Sequence, residues 1–128
     1  MGNPVVHFEI IGNDAPRLRS YYGSLFGWRC NTDSPVANEV SDAGNYGFVD
    51  RIAAPDGSGI PGGIGGGKTH RAHAIFYVGV PDVGEALKKA ESLGGKRVMD
   101  PATKPDGSLV VAHFTDPEGS VIGLAGSK

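Results

Sequence analysis

Reactive sulfur is almost absent from this chain of 128 residues: Cys30 is its single cysteine. One thiol cannot close an internal disulfide or seed a cysteine-rich zinc site. No activating base lies near it in sequence, so it reads as a structural thiol. Long hydrophobic runs are missing as well. No segment nears the ~20 apolar residues that span a bilayer, and the opening MGNPVVHFEI has neither the charged head nor the apolar stretch of a signal peptide. A cytoplasmic protein without membrane contact is expected. Gly2 follows Met1, but myristoylation requires Ser or Thr at the sixth position, where Val6 stands. Charge of one sign is also lacking. The net charge is -2, with acids and bases interspersed. No basic stripe pairs with aromatics, so no nucleic-acid partner is expected.

Glycine, by contrast, is abundant at 21 residues, and a dense cluster lies between Gly57 and Gly67. Glycine loses the most backbone freedom on ordering, so this segment reads as a flexible hinge or linker. Within it GGIGGGKT, Gly62 to Thr69, matches the phosphate-loop pattern letter for letter. That pattern works only between a buried strand and a helix whose amides meet the phosphates. Here the strand-like HRAHAIFYVGV follows, so nucleotide binding is not expected. Gly57, Gly59 and Gly62 match a dinucleotide fingerprint but are likewise followed by no helix. No nucleophile elbow, zinc-protease motif or paired-cysteine motif occurs.

The chain repeats itself at an offset of 68 residues. VVHFEIIGNDAPRLRSYYGSLFGWR falls on HAIFYVGVPDVGEALKKAESLGGKR, with Phe8 on Phe76, Asp14 on Asp82, Leu25 on Leu93 and Gly27 on Gly95. Val5 to Ile11 and Ala74 to Val80 are rich in β-branched and aromatic residues and predict strands. Asp14 and Asp82 are predicted helix N-caps, and Pro16 sits in the first turn, where its missing N–H is harmless. Val83, Ala86, Leu87, Ala90 and Leu93 recur at helical spacing, as do Leu18, Tyr22 and Leu25. Gly27 and Gly94-Gly95 supply stop signals. Further strands are predicted at Arg29 to Asn31, Tyr46 to Ile52, weakly at Ile60 to Ile64, then Lys96 to Met99, Leu109 to Thr115 and Val121 to Ala125. Turns are expected at PDGS (Pro55 to Ser58), KPDG (Lys104 to Gly107) and DPEG (Asp116 to Gly119). Each half is therefore β-α-β-β-β. The expected fold is α+β: one domain of two βαβββ modules, about 4–66 and about 72–126, forming a curved mixed sheet around a cleft with helices outside.

These residues carry a resemblance. HFEI followed by SYYGSLFGWR is similar to the first module of the vicinal-oxygen-chelate superfamily, which includes glyoxalase I, bleomycin- and fosfomycin-resistance proteins and extradiol dioxygenases. GVPDVGEALKKAESLGGKRV resembles its second helix, and HFTDPEGSVIGL its closing strands. The resemblance covers nearly the whole chain except the loops around 32–45 and 57–70. It implies fold and superfamily rather than a reaction.

Enzymes of this superfamily hold one divalent cation with four side chains, one from the first and last strand of each module. The resemblance places those positions at His7, Ile75, Gly123 and a residue of the last strand of the first module. Between Ser58 and Gly67 the chain has no His, Glu, Asp, Gln or Cys. One imidazole cannot hold a divalent ion, so no metal and no cofactor are expected. An alternative is a relocated 2-His-1-carboxylate set of His7, Glu9 and His73. Strand alternation places His7 and Glu9 on one face, and His73, Ile75 and Tyr77 on the matching face. His7, Glu9, His73, Tyr77 and His113 are thus the candidate ligand-binding residues. Phe8, Ile10, Phe76 and Val78 should lie under the helices, with Phe76 deeply buried, and Trp28 should belong to the core. His70 is expected to be solvated.

The favoured reading is a metal-free binder of a small apolar or aromatic molecule, as in the bleomycin-resistance branch. The alternatives are an enzyme, using a relocated metal or metal-free acid–base chemistry, and a non-catalytic regulatory subunit. Self-association as a homodimer is expected from the resemblance and from sheet edges that prefer cover. No catalytic residue is assigned.

Overall fold

A computed structural model describes residues 2–128. The chain divides into two compact units, His7–Ala74, and Ile75–Lys128 joined by the residues up to Val6. The first half contains β1 (Val5–Gly12), α1 (Ala15–Phe26), β2 (Cys30–Asn31), β3 (Gly47–Val49) and β4 (Gly62–Gly66). Its strands run in the order β2-β3-β4-β1, with β1 and β4 parallel and the other pairs antiparallel. The second half contains β5 (His73–Gly79), α2 (Val83–Ser92), β6 (Lys96–Thr103), β7 (Val110–Thr115) and β8 (Val121–Gly126). Its order, β5-β8-β7-β6, repeats the first. The class is α+β, and each half is β-α-β-β-β.

Both helices begin where a short carboxylate can receive an orphan amide. Asp14 accepts from Arg17 N at 3.1 Å and Asp82 from Glu85 N at 3.1 Å. α1 stops at Gly27, whose φ of 72° is the left-handed conformation that glycine adopts without a Cβ penalty. In the second half Val83 and Leu87 of α2 pack on Ala112 of β7 and Leu124 of β8, forming a sealed apolar cluster. In the first half the helix side is aromatic. Trp28 lies 5.1 Å from the Phe8 ring, 5.7 Å from Tyr22 and 5.0 Å from Phe26. Trp28 packs among these rings but stays partly exposed, outside the sealed core expected for it, because Phe26 beside it is itself more than half exposed.

Two expectations need correction. The glycine-rich segment is not a loose hinge throughout: Gly62–Gly66 is β4, buried along its whole length between β1 and β3. Its glycines have a steric cause, because a Cβ at Gly62 would lie 2.2 Å from the Phe8 ring and one at Gly63 2.1 Å from the Tyr46 ring, closer than real Cβ contacts come. Phe76 is not deeply buried either, being 42% exposed. Ile75 and Tyr77, on the opposite face of β5, are the buried residues, at 6% and 2% exposure. The loop around 32–45, where the resemblance fails, is tied to the end of β4. Ser41 Oγ accepts from Gly66 N at 2.8 Å and Asn45 Nδ2 donates to Gly66 O at 3.2 Å. Arg19 of α1 donates to Asn45 O.

Candidate functional site

In the first half, period-two alternation along β1 turns His7, Glu9 and Ile11 to one face. Glu9 is 2% exposed. A buried carboxylate needs hydrogen-bond partners, and Tyr46 supplies one: its hydroxyl donates to Glu9 Oε1 at 2.9 Å. His7 Nε2 lies 2.8 Å from the same hydroxyl. Tyr46 thus bridges an imidazole and a carboxylate, and its place is set by the tie between the preceding loop and β4. Phe48 of β3 packs edge-on, 4.9 Å from the Tyr46 ring and 6.1 Å from His7. Burial lowers the His7 pKa from 6.5 to about 4, so the ring is neutral at physiological pH.

The second half has its own pair. Tyr77 and His113, both buried, meet through the Tyr77 hydroxyl and His113 Nε2 at 2.8 Å. Tyr77 stands opposite Gly123 of β8, as Glu9 stands opposite Gly63 of β4. In both halves a tyrosine ring covers that last-strand glycine: a Cβ at Gly123 would lie 2.4 Å from the Tyr77 ring, as one at Gly63 would lie 2.1 Å from Tyr46.

His73 behaves differently from the other candidates. It is exposed, and its Nδ1 donates to Arg71 O at 2.8 Å. The relocated metal set of His7, Glu9 and His73 does not form: no cluster of three or more His, Cys, Asp or Glu able to hold a metal ion occurs among the described residues. His70, expected to be solvated, is only partly exposed and lies 3.2 Å from Asp42. Cys30 sits beside Arg19 and Gly47, and burial raises its pKa, as befits a structural thiol. Tyr46 was missed in the sequence. It comes 37 residues after Glu9, and no motif announces it. The absent side chains of Gly63 and Gly65 were the available signal, since buried strand glycines mark close approach by another group.

The paired modules of identical strand order now have a family to belong to. The sequence model of the Glyoxalase/Bleomycin resistance protein/Dioxygenase superfamily matches residues 5–124. The chain belongs to this superfamily. No curated protein matches in sequence. Among solved structures, methylmalonyl-CoA epimerase of Streptomyces coelicolor is similar at TM-score 0.62 and 13% identity, covering 97% of this chain and 96% of that one. The hypothetical protein BH1468 of Bacillus halodurans C-125 matches at 0.62 and 12%, covering 100% and 96%. Methylmalonyl-CoA epimerase of Mycobacterium tuberculosis matches at 0.58 and 14%, covering 95% and 86%. These likenesses are likenesses of fold.

The superfamily's metal does not fit the residues present. Of the four ligand positions, His7 alone carries a donor. Ile75 is apolar and buried, and Gly123 and its counterpart Gly63 offer no side chain. A carboxylate introduced at either glycine would collide with the tyrosine ring above it. A divalent cation needs three or more protein donors.

Proposed function

We propose that this chain is a small-molecule-binding member of the glyoxalase/bleomycin-resistance superfamily that works without a divalent metal. The observation that carries this reading is the pair of last-strand glycines, each covered by a tyrosine ring hydrogen-bonded to a histidine. The proposed recognition group is His7 of the first half, held by Tyr46 and the buried Glu9 and flanked by Phe48; Tyr77 and His113 form a separate buried pair in the second half. An imidazole beside aromatic rings suits a molecule of apolar or aromatic body with a few polar atoms, the usual division of labour in ligand sites. His73, exposed and engaged with its own neighbour, is left out of the set.

Two measurements test the reading. Metal analysis of purified protein should find no stoichiometric divalent ion, and Ni²⁺, Zn²⁺, Mn²⁺ or Fe²⁺ should leave the melting temperature unchanged, because a specifically bound ion must stabilise the folded state. One-to-one metal with a raised melting temperature would reject it. Fragment screening by NMR should yield ligands that perturb the His7 ring. His7→Ala should weaken them at least tenfold with little change in melting temperature.

A second reading, metal-free acid–base catalysis, is favoured by one feature: a neutral imidazole linked through Tyr46 to a buried carboxylate. Such linked groups are the usual components of proton transfer. Turnover requiring both His7 and Glu9, and undiminished by chelators, would favour it over simple binding.

A further inference from the structure

The helix side of the second half is less filled than that of the first. Under the 68-residue repeat, Tyr22 stands where α2 has Ala90, Phe26 where Gly94 follows it and Trp28 where β6 begins at Lys96. In the first half those rings pack together, Tyr22 and Trp28 5.7 Å apart and Phe26 and Trp28 5.0 Å apart. In the second half Ala86 and Ala90 of α2, Val78 of β5, Phe114 of β7 and Leu124 of β8 instead line an open groove of about 430 Å³. Val83 and Leu87 hold α2 on the sheet, and the small side chains beside them leave the space. The rim is polar at Asn3, Lys89 and Asp116. Asp116 Oδ1 accepts from Glu118 N at 2.9 Å and from Ser120 N at 3.0 Å. Lys89 has no ion pair among the described residues: Glu85, one turn before it, pairs with Lys88, and Glu91 pairs with Arg97.

We propose that this groove binds an arylalkyl carboxylate, its ring between α2 and the sheet and its carboxylate at Lys89. The ring follows from the repeat: the first half fills the corresponding space with side-chain rings, and the second half has Ala90 and Gly94 in their place. The groove's size falls within the roughly 300–1,000 Å³ of small-molecule sites, and an apolar wall with a few polar groups is their usual lining. The carboxylate follows from charge. Lys89 is the rim cation without an ion pair, whereas Asp116 is engaged by the amides of its own turn, which disfavours a cationic ligand. Burial of the ring supplies most of the affinity, and the exposed ion pair at Lys89 sets the orientation. Val78 alternates with Tyr77 along β5, so the groove lies on the other face of that strand from the Tyr77–His113 pair. It is also separate from His7, and the proposal does not depend on the reading of that site.

Methyl NMR of the full chain tests this with 3-phenylpropanoate and its uncharged amide as probes. The ring current of the acid should shift the methyls of Ala86, Ala90 and Leu124 saturably, with a dissociation constant of about 1 mM or below, the range open to a fragment of this size. The amide should bind roughly two- to fivefold more weakly, the difference an exposed ion pair makes. Lys89→Gln should bring acid and amide level. Ala90→Tyr restores the residue that the first half carries and should abolish the shifts at Ala86 and Leu124. Absence of a saturable shift at these methyls, equal affinity for acid and amide in the wild type, or binding that survives Ala90→Tyr would each overturn the proposal. So would a dimer that Ala90→Tyr converts to monomer in sedimentation, since the groove would then be an interface between copies. Shifts confined to the His7 ring would overturn it while leaving the first-half site standing. If Ala90→Tyr does not fold, the comparison of acid and amide with and without Lys89→Gln decides.

Discussion

His7 shows how one partly buried side chain makes the whole molecule sensitive to acid. Its ring titrates near 4 in the folded chain and near 6.5 when unfolded. Between those values the unfolded chain binds the extra proton. Stability is therefore intact above about pH 6.5, falls as the pH drops through that window and levels off near 4. At about 1.4 kcal/mol per unit the full loss is on the order of 3 kcal/mol. His7→Gln should flatten this part of the profile. Urea unfolding at a series of pH values checks it, and parallel curves for wild type and variant would refute it. Sequence reasoning singled out His7 and Glu9 by strand alternation and a superfamily position. It could not reach Tyr46, because the bond that matters joins β1 to a loop residue through three-dimensional proximity alone.

Among the elements, the helices and their caps were the most readable. Asp14, Asp82 and Gly27 act as their chemistry predicts, since capping depends on a few adjacent residues and little else. β4 was the least readable. A strand made of glycine shows neither alternation nor β-branched enrichment, and its identity comes from rings lying on it. Burial also departed from the pattern on β5, where alternation predicts the two faces but not which of them is more tightly covered. The energetic weight of the second half consequently lies on Leu87, fully buried against Ala112 and Leu124, rather than on Phe76. Leu87→Ala should cost roughly 2–5 kcal/mol, and Phe76→Ala clearly less. Chemical denaturation of the two variants decides the order, and a larger loss from Phe76→Ala would reverse the assignment.

Taken whole, the chain keeps its duplication in topology and has let it lapse in chemistry. Strand order, helix placement and N-caps agree between the halves. At the site positions His7 corresponds to Ile75 and Glu9 to Tyr77, so each half reaches a tyrosine–histidine pair by a different route: Tyr46 from a loop in one, Tyr77 from the first strand in the other. That divergence explains why the superfamily was legible and the site was not, because topology is recorded across many residues and a site in only a few. No helix among the described residues is long and apolar enough to cross a membrane. Tyr21, Leu25 and Phe26 on α1 are more than half exposed, and we propose that the chain pairs with a second copy. Sedimentation equilibrium should return twice the monomer mass, and a monomer at tens of micromolar would refute it.

The bare strand beneath Tyr46 also has a use in the laboratory. Gly63 and Gly65 floor the ring with backbone alone, so Tyr46→Ala should leave a vacancy with the outline of the lost phenol, floored by backbone and walled by Phe48 and His7. A hole with an aromatic wall and two polar groups at one end suits a small aromatic guest that carries a hydroxyl. Free phenol should refill this one, placing its hydroxyl between His7 and Glu9 and raising the melting temperature of Tyr46→Ala in a saturable, concentration-dependent way while leaving the wild type unmoved. Benzene should serve less well, since it fills the volume but restores neither hydrogen bond. Differential scanning fluorimetry with the two guests would separate what Tyr46 contributes as a ring from what it contributes as a hydroxyl. Equal rescue by both would mean the hydroxyl counts for little.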